Sequence, residues 1–165
     1  MSRLQPARGT ADLLPDSMAK HRLVIDAART ASARSGFQEM ATPIFEFSEG
    51  FSRPLGESSD IVTKENYSFA DRGGEILTLR PENTAGVVRA MISGGLTQSL
   101  PLKYFYAGPM FRYERPQKGR MRQFHQVGIE YLGPNDALAD AEIIACGARF
   151  LASVGVLDDC ELHLN

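Results

Sequence analysis

The sequence predicts an α+β fold with a largely antiparallel sheet. Three observations carry that reading: two strand pairs joined by turns, helical periodicities placed apart from them, and no regular strand–helix–strand alternation of the kind that builds a parallel sheet. At 165 residues the chain is long enough for one domain with a substantial core. No repeat, linker or low-complexity run divides it, so residues 1–165 are read as a single domain.

The elements follow in order. Pro15, Asp16 and Ser17 open an apolar pattern at helical spacing, Leu23, Val24, Ala27, Ala28 and Ala31, which stops at Gly36. Residues 37–40 read as a short strand, and Pro43 then stops regular pairing or confines it to an edge. A short helix is expected over 47–54 and a polar loop over 56–66. Residues 67–69 and 76–79 are strand-like runs around Asp71-Arg-Gly-Gly74, a hairpin signal. A helix is expected over 82–92, with Ala85, Val87, Val88 and Met91 inside and Gly94-Gly95 ending it. The last long helix runs from about 135 or 136 to 154, with Ala141, Ile144, Ala148 and Leu151 on one stripe. Residues 161–164 begin another strand.

The second strand pair, the hairpin of residues 108–130, holds the candidate site, and its alternation extends to the flanking residues. Phe105, Ala107, Phe111 and Tyr113 share one parity and Val127, Ile129 and Tyr131 match them, so that face is read as core. The opposite parity carries Met110, Arg112 and Glu114, then Phe124, Gln126, Gly128 and Glu130. A guanidinium suits phosphate or carboxylate oxygens, a ring offers a stacking surface, and Gln126 and Glu130 suit an amine or a ring N–H. Such a face fits a nucleotide beside a small amino compound; a hairpin edge that meets water is the alternative. Gly128 inside a strand fits close approach by a ligand or another backbone. The joining loop, 115–122, carries four positive charges in eight residues, which suits either nucleic-acid phosphates or a solvated tip.

Composition and motifs narrow the classes. The net charge is −2 and the pI near 5.9, so any polyanion contact must come from a local patch. The N-terminal residues lack the apolar core of a signal peptide and no run has the length to span a bilayer, which predicts a cytoplasmic protein. Cys146 and Cys160 have no zinc spacing and the three histidines are dispersed, so no structural metal and no disulfide framework are expected. There is no G-x-x-x-x-G-K-[ST], G-x-G-x-x-G or G-x-S-x-G motif. What remains is the profile of an enzyme that positions two substrates and stabilises charge.

At this level the residues resemble a family. The run Phe111-Arg-Tyr-Glu-Arg-Pro-Gln-Lys-Gly-Arg-Met-Arg-Gln-Phe-His-Gln126 resembles motif 2 of class II aminoacyl-tRNA synthetases, in the version typical of histidyl-tRNA synthetases. Arg8-Gly-Thr-Ala-Asp-Leu-Leu-Pro15, Thr42-Pro-Ile-Phe-Glu46, Gly56-Glu-Ser-Ser-Asp-Ile-Val-Thr-Lys-Glu65 and Leu77-Thr-Leu-Arg-Pro-Glu-Asn-Thr84 are similar to that family in order and spacing. The resemblance implies an antiparallel sheet flanked by helices, incomplete here, and ATP-dependent activation of histidine to histidyl-adenylate before transfer to tRNA(His). By it, Arg112 would bind the ATP α-phosphate and stabilise charge as histidine's carboxylate attacks. Glu114 and Phe124 would position the nucleotide, the ring against adenine. Glu82 and Thr84, with Asn83 between them, and Gln126 would hold the amino acid's ammonium, and Glu130 would accept from its imidazole. Arg115, Gln117, Lys118 and Arg120 would lie along the tRNA acceptor end. ATP with Mg2+ enters as substrate and no tightly bound cofactor is implied. The segment around Pro43 is similar to motif 1, which implies a homodimer.

Two departures accompany the resemblance. Asn83 stands where the family usually has glycine, so a left-handed turn there and crowding of the ligand by its side chain are expected; Asn66 replaces a usual methionine. Motif 3, the histidine-specific segment and the anticodon-binding domain are not found in residues 1–165, so the isolated chain is expected to be inactive or weak. A non-catalytic histidine-binding paralogue, similar to the regulatory subunit of ATP phosphoribosyltransferase, is the alternative.

Overall fold

The helix expected after Pro15 forms as α1, Pro15–Arg34, in a computed structural model that describes residues 4–51, 65–115, 117 and 119–164. Proline at its start, Asp16 in the first turn and Arg34 in the last all suit the ends of a helix. There follow β1 (Gln38–Glu39), β2 (Phe45–Phe47), β3 (Tyr67–Ala70), β4 (Ile76–Leu79), α2 (Thr84–Ser93), β5 (Leu102–Phe111), β6 (Gln123–Leu132) and α3 (Ala137–Ser153), with 3-10 turns at Leu96–Ser99 and Leu157–Asp159. Residues 49–51 are helical, but of the short helix expected over 47–54 Phe47 instead ends β2 and Ser48 lies in a turn, while 52–54 lie outside the described residues. Among the described residues no helix is long and apolar enough to cross a membrane.

The chain divides into two compact units. The first contains residues 41–98 and 107–128 with the N-terminal stretch to Asp12; the second contains 13–40, 99–106 and 129 onward. In the first, β2, β4 and β3 form an antiparallel sheet in that order. The register aligns Phe45, Leu79 and Tyr67 in one row and Phe47, Leu77 and Phe69 in the next, giving one apolar face. On the other face Thr78 is buried, with its hydroxyl within 2.7 Å of Ser48 Oγ and 2.8 Å of Ser68 Oγ. The β3–β4 turn closes through Asp71, whose carboxylate accepts the Glu75 N–H at 2.9 Å, with Gly74 at φ 90°. α2 buries Ala85, Gly86 and Val87.

In the second unit α1 packs on α3 through small residues, Ala28 and Ala31 from α1 being buried. Leu23 and Val24, expected inside, are exposed. The close approach uses the alanine stripe, and the larger side chains sit off it. α3 starts at Asp136, whose carboxylate accepts the Ala139 N–H at 2.9 Å. Its buried residue is Cys146, while Ala141, expected on the inner stripe, is exposed. Lys103 pairs with Glu142 and lies 4.5 Å from the centroid of the Tyr131 ring and 5.5 Å from that of Phe37. Arg29 bonds Glu39 and Asp26; the Glu39 hydrogen bond is the main cause that raises its pKa above the ordinary guanidinium value.

The largely antiparallel arrangement carries one parallel pair, and one strand expectation is corrected. β1 pairs with β5 in parallel, Gln38 opposite Tyr104 and Glu39 opposite Phe105, so the β1-β5-β6 sheet is not purely antiparallel. A two-residue strand carries no signal of direction in its own sequence. Residues 161–164 form no strand, and Leu162 and Leu164 are exposed. A strand exists only by pairing, and none of the described strands pairs with that segment.

Candidate active site

Beyond β5 the hairpin is held by its backbone. The Arg112 N–H donates to Arg122 O at 3.0 Å, and the N–H groups of Arg122 and Gln123 donate to Gly9 O at 2.7 and 3.2 Å. At the tip Gln117 and Arg120 exchange backbone bonds of 3.3 and 2.9 Å. Gly119 turns there at φ 82°, a conformation that glycine adopts without strain.

The alternation across β5 does not separate core from site as expected. Met110, on the expected site face, is 0% exposed and Tyr106 on the same parity is buried, whereas Tyr113, on the expected core face, is 53% exposed. Phe105 is buried as well. Both sides of β5 are covered over 105–110, and a strand covered on both faces has no inside parity. In β6, residues 124–132 show no contrast between parities except His125, which is exposed.

Arg112 begins the polar wall. Its Nε donates to Pro81 O at 2.9 Å, its Cζ lies 5.0 Å from the centroid of the Phe124 ring, and Nη1 comes 4.0 Å from Glu114 Oε1. Among the described residues the two terminal nitrogens have no closer polar partner. The guanidinium is thus oriented through one edge while its fork keeps its donors. Glu114 is mostly covered; its Oε2 is buried without a hydrogen bond among the described residues, although Arg120 Nη1 lies within ion-pair reach at 3.5 Å. Gln126 Oε1 is likewise buried with no hydrogen-bond partner among the described residues. A buried acceptor without a donor carries a desolvation penalty, which an incoming N–H would relieve.

The turn before α2 sits in the same unit. Glu82 accepts the N–H groups of Thr84 at 2.5 Å and Ala85 at 3.0 Å, so its carboxylate covers the start of α2. Thr84 is exposed. Asn83 has φ −120°, so the left-handed turn expected there does not form. Its carboxamide is 1% exposed, and Oδ1 accepts from Thr42 Oγ1 at 2.5 Å, turned into the protein. Glu130 belongs to the second unit, where Tyr106 Oη donates to it at 3.4 Å.

The described basic side chains of the loop differ in how they are presented. Arg115 and Gln117 are exposed, Arg120 faces Glu114, and Lys118 lies outside the described residues. Arg122 is folded in: Nε donates to Glu114 O at 3.1 Å and Cζ stands 3.9 Å from the Tyr113 ring centroid. A cleft of about 390 Å³ lies elsewhere, lined by Phe47, Val88 and Ile92 and by the Arg89–Glu46 ion pair. Arg89 there is engaged by Glu46 and Ser93.

Residues 9–165 match the family model described as histidyl-tRNA synthetase. The chain belongs to the histidyl-tRNA synthetase family. It is 61% identical to the histidine–tRNA ligase of Rhodospirillum rubrum over the whole of this chain and 40% of that protein. Among solved structures, apo S. aureus histidyl-tRNA synthetase is 34% identical with a TM-score of 0.78, covering 93% of this chain and 40% of that one. A Bacillus halodurans protein described as an ATP phosphoribosyltransferase regulatory subunit/histidyl-tRNA synthetase is 26% identical with a TM-score of 0.80, covering 94% of this chain and 39% of that one. The chain therefore spans about two fifths of the length of the relatives it matches. The α+β fold is that of these synthetase structures.

One part of this synthetase wall was missed by sequence reasoning. Arg80 is 5% exposed and bonds Pro109 O and Thr42, and its Nη2 presses on Gly108, where an added Cβ would come within 2.3 Å. A glycine inside an apolar strand was the available signal.

Proposed function

We propose that this chain forms part of the catalytic core of a histidine–tRNA ligase, which activates histidine with ATP and transfers it to tRNA(His). The observation that carries the reading is the Arg112 guanidinium, anchored to Pro81 O through Nε at 2.9 Å, with its fork beside the Phe124 ring. In this reading the fork takes the α-phosphate and one face of Phe124 takes adenine. As the histidine carboxylate attacks phosphorus in line and pyrophosphate leaves, the fixed donors of Arg112 stabilise the added charge without reorganising. Glu114 steadies Arg112, and Gln126 Oε1, without a hydrogen-bond donor among the described residues, gains one when it accepts from the histidine ammonium, assisted by Glu82 and Thr84. Glu130 accepts from the imidazole.

Mg2+ arrives with ATP. Among the described residues no group of three or more His, Cys, Asp or Glu is placed to hold a metal. Arg115, Gln117, Lys118 and Arg120 would follow the tRNA acceptor end, and a cytoplasmic homodimer is the assembly proposed. A regulatory, histidine-binding role is supported by the Bacillus halodurans likeness; the 61% identity to a ligase weighs against it.

Calorimetric titration with ATP and with histidine tests the assignment. Arg112→Ala is expected to weaken ATP binding about tenfold to a hundredfold, the scale of a charge-assisted hydrogen-bond pair, while Glu130→Ala weakens histidine binding. If both variants bind as the unsubstituted chain does, the residue roles are wrong.

A further inference from the structure

We propose that Arg80 is a positioning residue of this site, clamping the 80–83 turn to the end of β5 so that Arg112 and the Glu82-capped start of α2 keep a fixed separation. What is positioned rests on the reading above; the clamp itself rests on geometry. Arg80 is bonded along both its backbone and its side chain. Its N–H donates to Ile44 O and its C=O accepts from the Phe111 N–H, both at 2.9 Å. Its Nε donates to Pro109 O at 2.9 Å, and Nη1 donates to Thr42 O at 2.9 Å, Thr42 Oγ1 at 3.1 Å and Asn83 Oδ1 at 3.4 Å. Three separate stretches of chain, around 42, 83 and 109, therefore meet on one planar group.

The choice of residue is informative. A buried guanidinium is costly to desolvate, and an apolar side chain of similar volume often serves stability as well or better. What the apolar side chain lacks is direction: a planar fork fixes angles as well as distances. The fixed angles pass directly to the site. Pro81, the next residue, supplies the carbonyl that orients Arg112, and Glu82, the one after, caps α2. Asn83 belongs to the same clamp, because its carboxamide oxygen is bonded to Thr42 and Arg80. Gly108 and Gly86 are the clearances: a Cβ at Gly86 would come 3.1 Å from Thr42 Oγ1 and 3.2 Å from Asn83 Oδ1.

The test uses Arg80→Met, which keeps volume and removes every donor, and Thr42→Val, which keeps shape and removes one hydroxyl, with Thr42→Ser as the restoring variant. ATP and histidine affinity are measured by titration, the unfolding midpoint by denaturant, and amide hydrogen exchange at Phe111, Thr84 and Ala85. At conditions where each variant is fully folded, Arg80→Met and Thr42→Val should bind ligand about tenfold to a hundredfold more weakly, the scale of a misplacement of about 1 Å. They should also speed exchange at those three amides, and Thr42→Ser should return both readings to those of the unsubstituted chain. Unchanged exchange in Arg80→Met and Thr42→Val overturns the clamp, as does failure of Thr42→Ser to restore. Should Arg80→Met not fold, Thr42→Val with its restoring partner decides alone. If the unsubstituted chain binds neither ligand while the variants still exchange faster, the clamp stands and the functional reading falls.

Discussion

The two units of this chain are held together inside by different means. The first is organised by directional polar bonds: Arg80 to Thr42 and Pro109, Thr78 to Ser48 and Ser68, and Glu82 to the start of α2. The second, like the first with its Phe51, Val87 and Met110, buries an apolar set, here Ala28, Ala31, Phe37, Phe105 and Cys146 with α1 laid on α3, but its ion pairs Arg29–Glu39 and Lys103–Glu142 stay partly exposed. Packing tolerates small shifts, because dispersion and the hydrophobic effect depend weakly on angle. Hydrogen bonds to a guanidinium do not. The unit that carries Arg112, Phe124 and Gln126 is the one whose buried polar groups meet in angle-dependent contacts; if those residues hold ligand as proposed, substitutions in the two units should separate stability from ligand affinity.

The sharpest break of this contrast is Phe105→Ala. Removal of a buried aromatic side chain from the second unit should destabilise the chain by about 3–5 kcal/mol, read as a shift in the denaturation midpoint. Under conditions where the variant remains folded, ATP affinity should be unchanged. A parallel loss of affinity would show that packing in this unit positions the ligand residues too.

A smaller effect comes from a pair of glycines with the same backbone need and different surroundings. Gly9 has φ 79° and a Cβ there would come 2.7 Å from Arg122 Cγ; Gly155 has φ 75° and nothing within 4 Å. Gly155→Ala should show backbone strain alone, about 1 kcal/mol. Gly9→Ala adds the displacement of Arg122 from Glu114 O and the Tyr113 ring, for a total of about 2–4 kcal/mol. Equal losses at the two positions would mean that Arg122 gives way freely and does not brace the hairpin. Asp136→Ala should have the least effect, about 1 kcal/mol from the lost cap of α3, again by denaturation, with ligand affinity untouched.

Much of the fold was legible because its signals are local. Pro15 and Gly36 bracket α1, Asp136 caps α3, and Asp71 with Gly74 turns the β3–β4 hairpin, each through bonds or dihedrals within a few residues. The candidate residues of the hairpin were singled out by alternation and then given roles by the motif resemblance, although alternation placed Met110 and Tyr113 on the wrong faces. Counting charges in the loop does not tell which of them are presented. Arg122 and Arg115 are equivalent in composition, yet one is folded beneath the hairpin and the other exposed.

By itself the sequence determined the fold class, the helices, the hairpins and the family, since periodicity, caps and motif spacing are properties of the chain read in order. Only the tertiary structure decided which side chains of β5 are covered, that β1 joins it in parallel, and that Arg80 gathers residues 42 and 109 onto one guanidinium. Those outcomes depend on contacts between residues far apart along the chain, and whether a charge is presented or buried is settled by what folds over it.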